Sequence, residues 1–241
     1  MPSFYSLDGS TCPDLVLAAL GIAPDPASAA LVWHHALATL YSPAYLAQNA
    51  GGLRQGWPRV PLPSTADALR ASAALGAQLA ALLDPDAPVP GVTAGRIRPE
   101  LACLAVPSTR SGVERDWSLR GWGHRTGKGV TMPGRGRVEP RDPAPAEAAA
   151  QAHAALLGAR LLDIGMNEAC FWRAVPEAVW ECRIGGYQVL KKWLRYRDHS
   201  ILGRPLSPDE VAHVQQTARR IAAILLLGPD LDAAHAACAG A

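Results

Sequence analysis

Three closely spaced prolines, in Trp57-Pro58-Arg59-Val60-Pro61-Leu62-Pro63, place the strongest constraint on how this chain can fold. Each proline fixes its own backbone and disfavours helix at the residue before it, so the segment must be extended. The stretches on either side are rich in alanine and leucine, which favour helix. We therefore predict helices over 14–20, 26–41, 43–50 and 64–83, with Gly51-Gly52 ending the third and Ser64 capping the fourth.

The pattern changes beyond the proline-rich boundary at 85–91. Short apolar runs separated by glycine, which are typical of strands and loops, occupy 97–138, and the run at 101–106 is one predicted strand. A helix over 146–157 and strands over 160–164 and 169–175 are predicted next. The last fifth returns to helix, beginning with the capping box Ser207-Pro208-Asp209-Glu210.

These patterns predict an α+β fold with a helical N-terminal third, a β-rich middle containing a glycine-rich basic loop, and a helical C-terminus. We expect a helical lead-in segment over 1–84 and a second domain over 85–241 that includes the C-terminal helices. No run of about 18 apolar residues is present, and Met1 to Leu20 lacks the order of a secretion signal. We therefore expect a cytoplasmic protein that does not associate with a membrane.

Positive charge is concentrated in two short segments, although the net charge is only +2. Segments 120–137 and 183–197 each carry five basic residues and no acidic one, so their 33 residues hold +10. The other 208 residues hold 13 basic and 21 acidic side chains, or −8. Such concentration is typical of a face that binds a polyanion. A solvated surface loop and an ordinary amphipathic surface helix are the alternatives for the two segments.

The first basic segment begins as Gly121-Trp122-Gly123-His124-Arg125-Thr126-Gly127-Lys128-Gly129, which invites comparison with phosphate-binding loops. A P-loop would need glycine where Trp122 stands and Ser or Thr where Gly129 stands. A dinucleotide fingerprint would need its third glycine at Thr126. Both fail, and a flexible basic loop remains, whose arginines and backbone amides could approach phosphates and base edges.

The second basic segment predicts an amphipathic helix. At 100° per residue, Gln188, Lys191, Lys192, Arg195 and His199 share one side, and apolar residues share the other. Gly185-Gly186 would allow a sharp turn into that helix.

The sequence offers no arrangement that we recognise as catalytic or metal-binding. No Pro-Pro dipeptide is present, so the chain lacks the Pro-Pro-aromatic motif that a DNA amino-methyltransferase uses to hold its target amine. The five cysteines are scattered, so neither a zinc site nor disulfides are expected. His34-His35 are expected to pack or cap rather than bind a ligand, and Asp163, Glu168 and Glu181 fit no metal-binding spacing. We expect no cofactor.

Four blocks in order resemble the carboxy-terminal half of type ISP restriction-modification proteins. They are Leu31 to Tyr45 followed by Trp57-Pro58-Arg59-Val60-Pro61, Gly121 to Gly134, Asn167 to Pro176, and Val179 to Leu194. The resemblance spans roughly Leu31 to Leu231. At Cys182-Arg183 it leads us to expect a tyrosine-threonine pair instead, and because the change adds a positive charge we do not expect an unchanged target sequence.

Full-length members of that family join a nuclease, a translocating ATPase, an adenine-N6 methyltransferase and a carboxy-terminal specificity domain in one polypeptide. Only the last part is matched, which implies a fragment, a split subunit or a decayed remnant. The resemblance implies that 85–241 is a target-recognition domain for double-stranded DNA. A separate methyltransferase or translocase polypeptide would then be its partner, and we do not expect the chain to be an enzyme on its own.

We expect the DNA face to consist of basic and polar side chains from the two basic segments: Arg120, His124, Arg125, Lys128, Arg135, Arg137, Arg183, Gln188, Lys191, Lys192 and Arg195. Phe171, Trp172, Trp180 and Trp193 are expected to form the core beneath them. Two other functions stay open: a structural or protein-interaction remnant whose basic face binds an acidic partner, and a small enzyme with a concave site that sequence does not reveal.

Overall fold

The computed structural model describes residues 12–127, 129–131 and 136–239. These residues form two compact units, one built from the described residues up to 87 together with those from 227 onward, and the other from the described residues between 88 and 226. The described elements include helices and a four-stranded antiparallel sheet, so the predicted α+β class is confirmed. The division into a lead-in segment over 1–84 and a target-recognition domain over 85–241 stays a prediction, because compact units do not establish which residues recognise a target.

The first unit is helical. Its helices are α1 (Cys12–Ala19), α2 (Pro26–Tyr41), α3 (Pro43–Leu53), α4 (Ala66–Leu83) and α12 (Gly228–Ala239). Side-chain oxygens of Asp25, Ser42 and Thr65 cap the starts of α2, α3 and α4 by accepting a backbone N–H three residues on. The N-cap of α4 is thus Thr65 rather than Ser64. The prediction that Gly51-Gly52 ends the third helix is wrong: α3 continues through both glycines to Leu53, although glycine disfavours helix.

Two close contacts fix the packing of α2 against α4. A Cβ at Gly76 would lie 1.8 Å from the carbonyl oxygen of His34, so only glycine allows this approach. His35 is buried, with Nδ1 2.7 Å from Ser72 Oγ and Nε2 2.9 Å from the carbonyl oxygen of Pro61. Burial lowers the pKa of His35. His35 therefore packs in the core, as expected, and its hydrogen bond to Pro61 also holds the extended proline segment.

The C-terminal helix α12 packs against α2, α3 and α4. Asp232 accepts hydrogen bonds from Ser42 Oγ at 2.6 Å and from the backbone N–H of Ala44 at 2.8 Å. The rings of Tyr45 and His235 meet edge to face with centroids 5.4 Å apart. These contacts explain why the last residues group with the first unit.

The second unit is built on a sheet in the order β1-β6-β5-β4, with each neighbouring pair antiparallel. The strands are β1 (Val106–Thr109), β4 (Val138–Arg141), β5 (Leu161–Gly165) and β6 (Cys170–Pro176). Two separate hairpins pair β2 (His124–Thr126) with β3 (Gly129–Thr131), and β7 (Arg183–Ile184) with β8 (Tyr187–Gln188).

The helices of this unit are α5 (Pro99–Ala102), α6 (Ala148–Gln151), α7 (Ala154–Leu157), α8 (Glu177–Glu181), α9 (Val189–Arg195), α10 (His199–Leu202) and α11 (Pro208–Leu226), with a 3-10 turn at Pro145–Glu147. The predicted strands over 160–164 and 169–175 correspond to β5 and β6. The strand predicted over 101–106 is wrong: Pro99 begins a short helix, and strand structure starts only at Val106. The helix predicted over 146–157 is broken into the 3-10 turn, α6 and α7.

The long helix α11 begins as predicted. The N–H of Glu210 donates to Ser207 Oγ at 3.2 Å, and the N–H of Ser207 donates to the Glu210 carboxylate at 2.8 Å, which is a complete capping box. By length and composition alone the segment Pro208–Cys238 could cross a membrane, a test that the core helices of soluble proteins also pass. Within it, α11 buries seven residues in the second unit, so it is a core helix there.

Candidate nucleic-acid interface

A two-residue hairpin stands where the sequence predicted a sharp entry into a helix. Gly185 and Gly186 have φ of 56° and 83°, the left-handed values that a tight hairpin turn requires at both central positions. No atom lies within 4 Å of a Cβ built at either glycine, so conformation rather than crowding demands them. The N–H of Val189 donates to the carbonyl oxygen of Cys182 at 3.0 Å and closes the hairpin at its base.

The helix that follows, α9, is shorter than the predicted one. Gln188 ends the hairpin and occupies the N-cap position of α9, and His199 belongs to α10. The prediction that these two residues share one helical face with Lys191, Lys192 and Arg195 is therefore wrong. Its central cations remain, because Lys191, Lys192 and Arg195 all lie on α9 and are half-buried. The buried residues of α9 are Leu190 and Leu194, which anchor the helix to the core.

The hairpin and α9 together line an open groove of about 270 Å³. Its lining includes the predicted DNA-face residues Arg183, Gln188, Lys191, Lys192 and Arg195, together with Gly186 and Tyr187. Four of these seven residues are cationic and none is acidic. Glu181, at the base of the hairpin, lies 3.6 Å from Arg183, and both side chains are more than half exposed. The groove is therefore a positively charged surface.

Aromatic rings are interleaved with the cations of this surface. The Nζ atom of Lys192 lies 4.2 Å from the ring centroid of Tyr187 and 5.0 Å from that of Tyr196. Both distances are in the range of cation–π attraction, so the two rings hold the ammonium in place. Tyr187 and Tyr196 are absent from the predicted DNA face, because that prediction selected basic and polar side chains from the two basic segments. The position of both tyrosines among the lysines and arginines of the second segment was a signal that could have identified them.

Trp193 lies on the other side of α9 and is only half-buried. The Trp193 ring stacks on the His213 ring with centroids 5.2 Å apart. The guanidinium carbon of Arg197 lies 4.1 Å from the Trp193 ring centroid. Among the aromatic residues expected in the core, Trp172 and Trp180 are buried, whereas Phe171 and Trp193 are not fully enclosed.

Asp198 ties the start of the first basic segment to the end of the second. Its Oδ2 accepts the backbone N–H groups of Trp122 at 2.9 Å and Gly123 at 3.3 Å, and its Oδ1 accepts that of Ser200 at 2.9 Å. Burial opposes ionisation, but these donors hold the pKa of Asp198 below its ordinary value. A Cβ at Gly123 would lie 2.0 Å from the carbonyl oxygen of Arg195. The two segments are thus in direct backbone contact.

Trp122 anchors the base of the glycine-rich segment in the core. Its indole is fully buried, donates from Nε1 to the carbonyl oxygen of Gly165 at 2.8 Å, and meets the ring of Trp180 edge to face. A Cβ at Gly136 would lie 2.6 Å from the Trp122 ring. Where the sequence predicted a flexible loop throughout, the described part is pinned at Trp122 and forms the β2–β3 hairpin.

The remaining predicted side chains lie in other places. His124 and Arg125 are on β2, with Arg125 exposed. Lys128 and Arg135 lie outside the described residues. Arg120 and Arg137 line a second, wider depression of about 790 Å³, whose rim also includes Asp116 and Glu168.

Arg137 is already paired within that depression. Its Nε donates to Glu139 at 2.7 Å, and Arg110 donates to the same carboxylate at 2.9 Å. These hydrogen bonds lower the pKa of Glu139. Of the eleven predicted residues, five therefore share the first groove, whereas Arg137 lines the second depression and is paired with Glu139.

Within the part of the chain that the structure describes, no group of three or more His, Cys, Asp and Glu side chains is arranged to hold a metal ion. Asp163 accepts the N–H of Ala174, whose φ is 58°, and contacts Arg141 at 3.4 Å, so it supports a backbone irregularity in the sheet. Burial raises the pKa of the Cys103 and Cys182 thiols, which disfavours the nucleophilic thiolate.

Residues 25–223 match the family of the Type ISP C-terminal specificity domain. The chain belongs to this family. The resemblance found in the sequence is therefore confirmed, and the specificity domain is the part of a Type ISP enzyme after which the family is named. Both groove-forming elements, the β7–β8 hairpin and α9, lie inside the matched region.

A solved structure of the nuclease-deletion mutant of the Type ISP restriction-modification enzyme LlaGI, in complex with a DNA substrate mimic, also matches this specificity-domain chain. The two are 15% identical, with a TM-score of 0.39, over 85% of this chain and 13% of that chain. The chain thus spans about an eighth of the length of that enzyme. No curated protein matches it.

Proposed function

We propose that this chain recognises a target in double-stranded DNA, with the groove between the β7–β8 hairpin and α9 as its main contact surface. One observation carries the proposal. Five side chains that the sequence assigned to DNA binding come from two different elements and line one groove, with four positive charges and no acidic residue among the lining. Membership of a specificity-domain family supports the same function.

The physical argument concerns phosphate binding. Duplex DNA presents closely spaced negative charges, and each lysine or arginine that neutralises a phosphate releases condensed counterions. Lys191, Lys192 and Arg195 lie within a turn and a half of one helix, where they can meet neighbouring phosphates of one strand. The helix is fixed beneath them by Leu190 and Leu194, so little ordering is needed on binding.

Two finer statements belong to the same proposal. The chain would act together with a separate methyltransferase or translocase polypeptide, because its sequence has no Pro-Pro-aromatic motif of its own. It would act where DNA is present, in the cytoplasm.

The DNA substrate mimic bound by LlaGI is a ligand of that enzyme, and the groove proposed for this chain is argued from the chain's own residues.

The test is the triple variant Lys191→Ala, Lys192→Ala and Arg195→Ala in the full chain. We expect weaker binding to every duplex tested, whatever its sequence. A plot of log affinity against log salt should flatten by roughly 0.9 for each lost phosphate contact, or up to about 2.7 for three. Fluorescence anisotropy with unrelated duplexes at several salt concentrations measures both quantities.

The matched control removes three exposed arginines that lie outside the groove: Arg54, Arg59 and Arg96, each changed to alanine. The control variant and the groove variant have the same net charge, so a general charge effect would weaken the DNA binding of both equally. An unchanged salt slope in a folded groove variant would refute the proposal. If the chain binds no duplex but binds polyglutamate through the groove, the acidic-partner alternative replaces it.

A further inference from the structure

The tip of the β7–β8 hairpin exposes two large side chains, Ile184 and Tyr187. Ile184 is 60% exposed and Tyr187 is 58% exposed. They are direct partners in the hairpin register and flank the Gly185-Gly186 turn, so they project from the same side. Their position together beside a cationic groove is what suggests a binding role.

Contacts at the base of the hairpin hold its backbone in place, and a contact with Lys192 orients the Tyr187 ring. The hydrogen bond from Val189 to Cys182 closes it, and the Gln188 side chain donates to the carbonyl oxygen of Trp180 at 3.4 Å. The ammonium of Lys192 contacts the Tyr187 ring. A short, supported ribbon of this kind can present side chains in a fixed geometry, which reading a sequence requires.

The dimensions favour one groove of DNA. From the base at Cys182 to the turn, three residues of strand reach roughly 10 Å at about 3.3 Å each. Two paired strands lie about 4.8 Å apart before their side chains are added. A ribbon of that width fits the major groove, about 12 Å wide and 8.5 Å deep, and is too wide for the minor groove of about 6 Å.

We propose that the β7–β8 hairpin is the element of this chain that reads base sequence, entering the major groove with Ile184 and Tyr187 against the base edges. The inference rests on the proposed function, because it needs duplex DNA bound at the groove. The cations of α9 then hold the flanking phosphates. Ile184 carries no hydrogen-bonding group in its side chain, and the apolar group on the floor of the major groove is the thymine methyl. Ile184 therefore selects a thymine.

The experiment selects bound duplexes from a pool with a randomised central segment, using the full chain, and sequences them. Wild type should enrich a motif that contains a thymine. Ile184→Ser should lose preference at that thymine, and Tyr187→Ser should lose preference at a neighbouring position. Ile184→Ser should change affinity for unselected duplex by no more than about twofold, because Ile184 makes no phosphate contact. Tyr187→Ser should also weaken binding to every duplex, because the Tyr187 ring lines the groove and contacts the ammonium of Lys192.

A second measurement isolates the methyl group. Replacing the selected thymine by deoxyuridine removes only that methyl, and should weaken wild type by about fourfold, the value of one buried methyl group. Ile184→Ala should bind both duplexes equally. Leu62→Ser, which changes an aliphatic residue that is 57% exposed in the first unit, is the matched control and should retain the wild-type motif and the thymine preference.

The outcomes separate this inference from the proposed function. An equal loss of affinity for all sequences in Ile184→Ser, or an intact motif in both hairpin variants, overturns the hairpin assignment. So does wild-type binding without any motif, although DNA binding through α9 would then stand. If the triple α9 variant keeps its affinity and salt slope, the proposed phosphate surface fails whatever the hairpin variants do. If the wild-type chain does not bind duplex DNA, both the proposed function and the hairpin assignment are refuted.

Discussion

Replacing Gly123 by alanine should separate the two basic segments. The added Cβ would lie 2.0 Å from the carbonyl oxygen of Arg195, 3.0 Å from its carbonyl carbon and 3.3 Å from Ile201 Cδ1. The nearest of these atoms is backbone, so no side-chain rotation can relieve the clash. Either the start of β2 or the end of α9 must move by about 1 Å or more to restore ordinary contact.

The expected cost follows from the contacts that the movement disturbs. Overpacking of this kind costs about 1 to 3 kcal/mol. The bonds from the Gly123 N–H to Asp198 and from Ser200 Oγ to the Gly123 carbonyl oxygen, at 3.3 and 2.9 Å, would weaken as well. Replacing glycine by alanine also lowers the conformational entropy of the unfolded chain, which offsets about 0.4 to 1 kcal/mol of this loss of stability. We expect the free energy of unfolding to fall by about 2 kcal/mol.

Urea unfolding followed by tryptophan fluorescence measures this change, because Trp122 and Trp180 lie together beside Gly123. The control is Gly127→Ala in the same hairpin, where a Cβ would meet nothing within 4 Å. It should be nearly neutral. Affinity for duplex DNA should fall in the Gly123 variant only, because Arg195 is displaced. A Gly123 variant as stable as the Gly127 variant would refute the close approach.

Two further predictions concern α11 and α9. The hydrogen bonds from Arg204, together with the N–H of Ser207, lower the pKa of Glu210 to about 2. Because this is below its ordinary value of 4.5, the stabilisation is full above about pH 4.5 and is lost as pH falls toward 2. Denaturation at several pH values should show Glu210→Gln less stable than wild type by about 1 to 2 kcal/mol at pH 7, after solvent screening, and equal to it near pH 2. A constant gap at all pH values would contradict this. Trp193→Ala should cost only about 1 to 2 kcal/mol, since the ring is half-buried rather than enclosed. The pKa of His213, which burial and Arg197 lower, should rise toward 6.5 in an NMR titration as the stacked ring is removed, and an unchanged value would exclude the stack.

Local signals in the sequence predicted much of the secondary structure. The capping box at Ser207 and Glu210 formed as expected because both partners lie within one helical turn. Strands over 160–164 and 169–175 were found because apolar β-favouring residues dominate them. The Gly185-Gly186 turn was misinterpreted, although two glycines between Ile184 and Tyr187 are themselves a hairpin signal.

The sequence by itself determined where positive charge is concentrated, where long helices such as α2, α4 and α11 lie, and which family the chain belongs to, because charge, capping and motif order are local properties. Only the tertiary structure decided that Trp122 is an anchor, that Gly123 touches Arg195, and that Arg183 of the hairpin shares a groove with the cations of α9. The first two features join residues far apart in the chain, and the third depends on how the hairpin folds back beside α9. Their geometry depends on how the whole core packs, and the spacing of residues along a sequence does not contain that information.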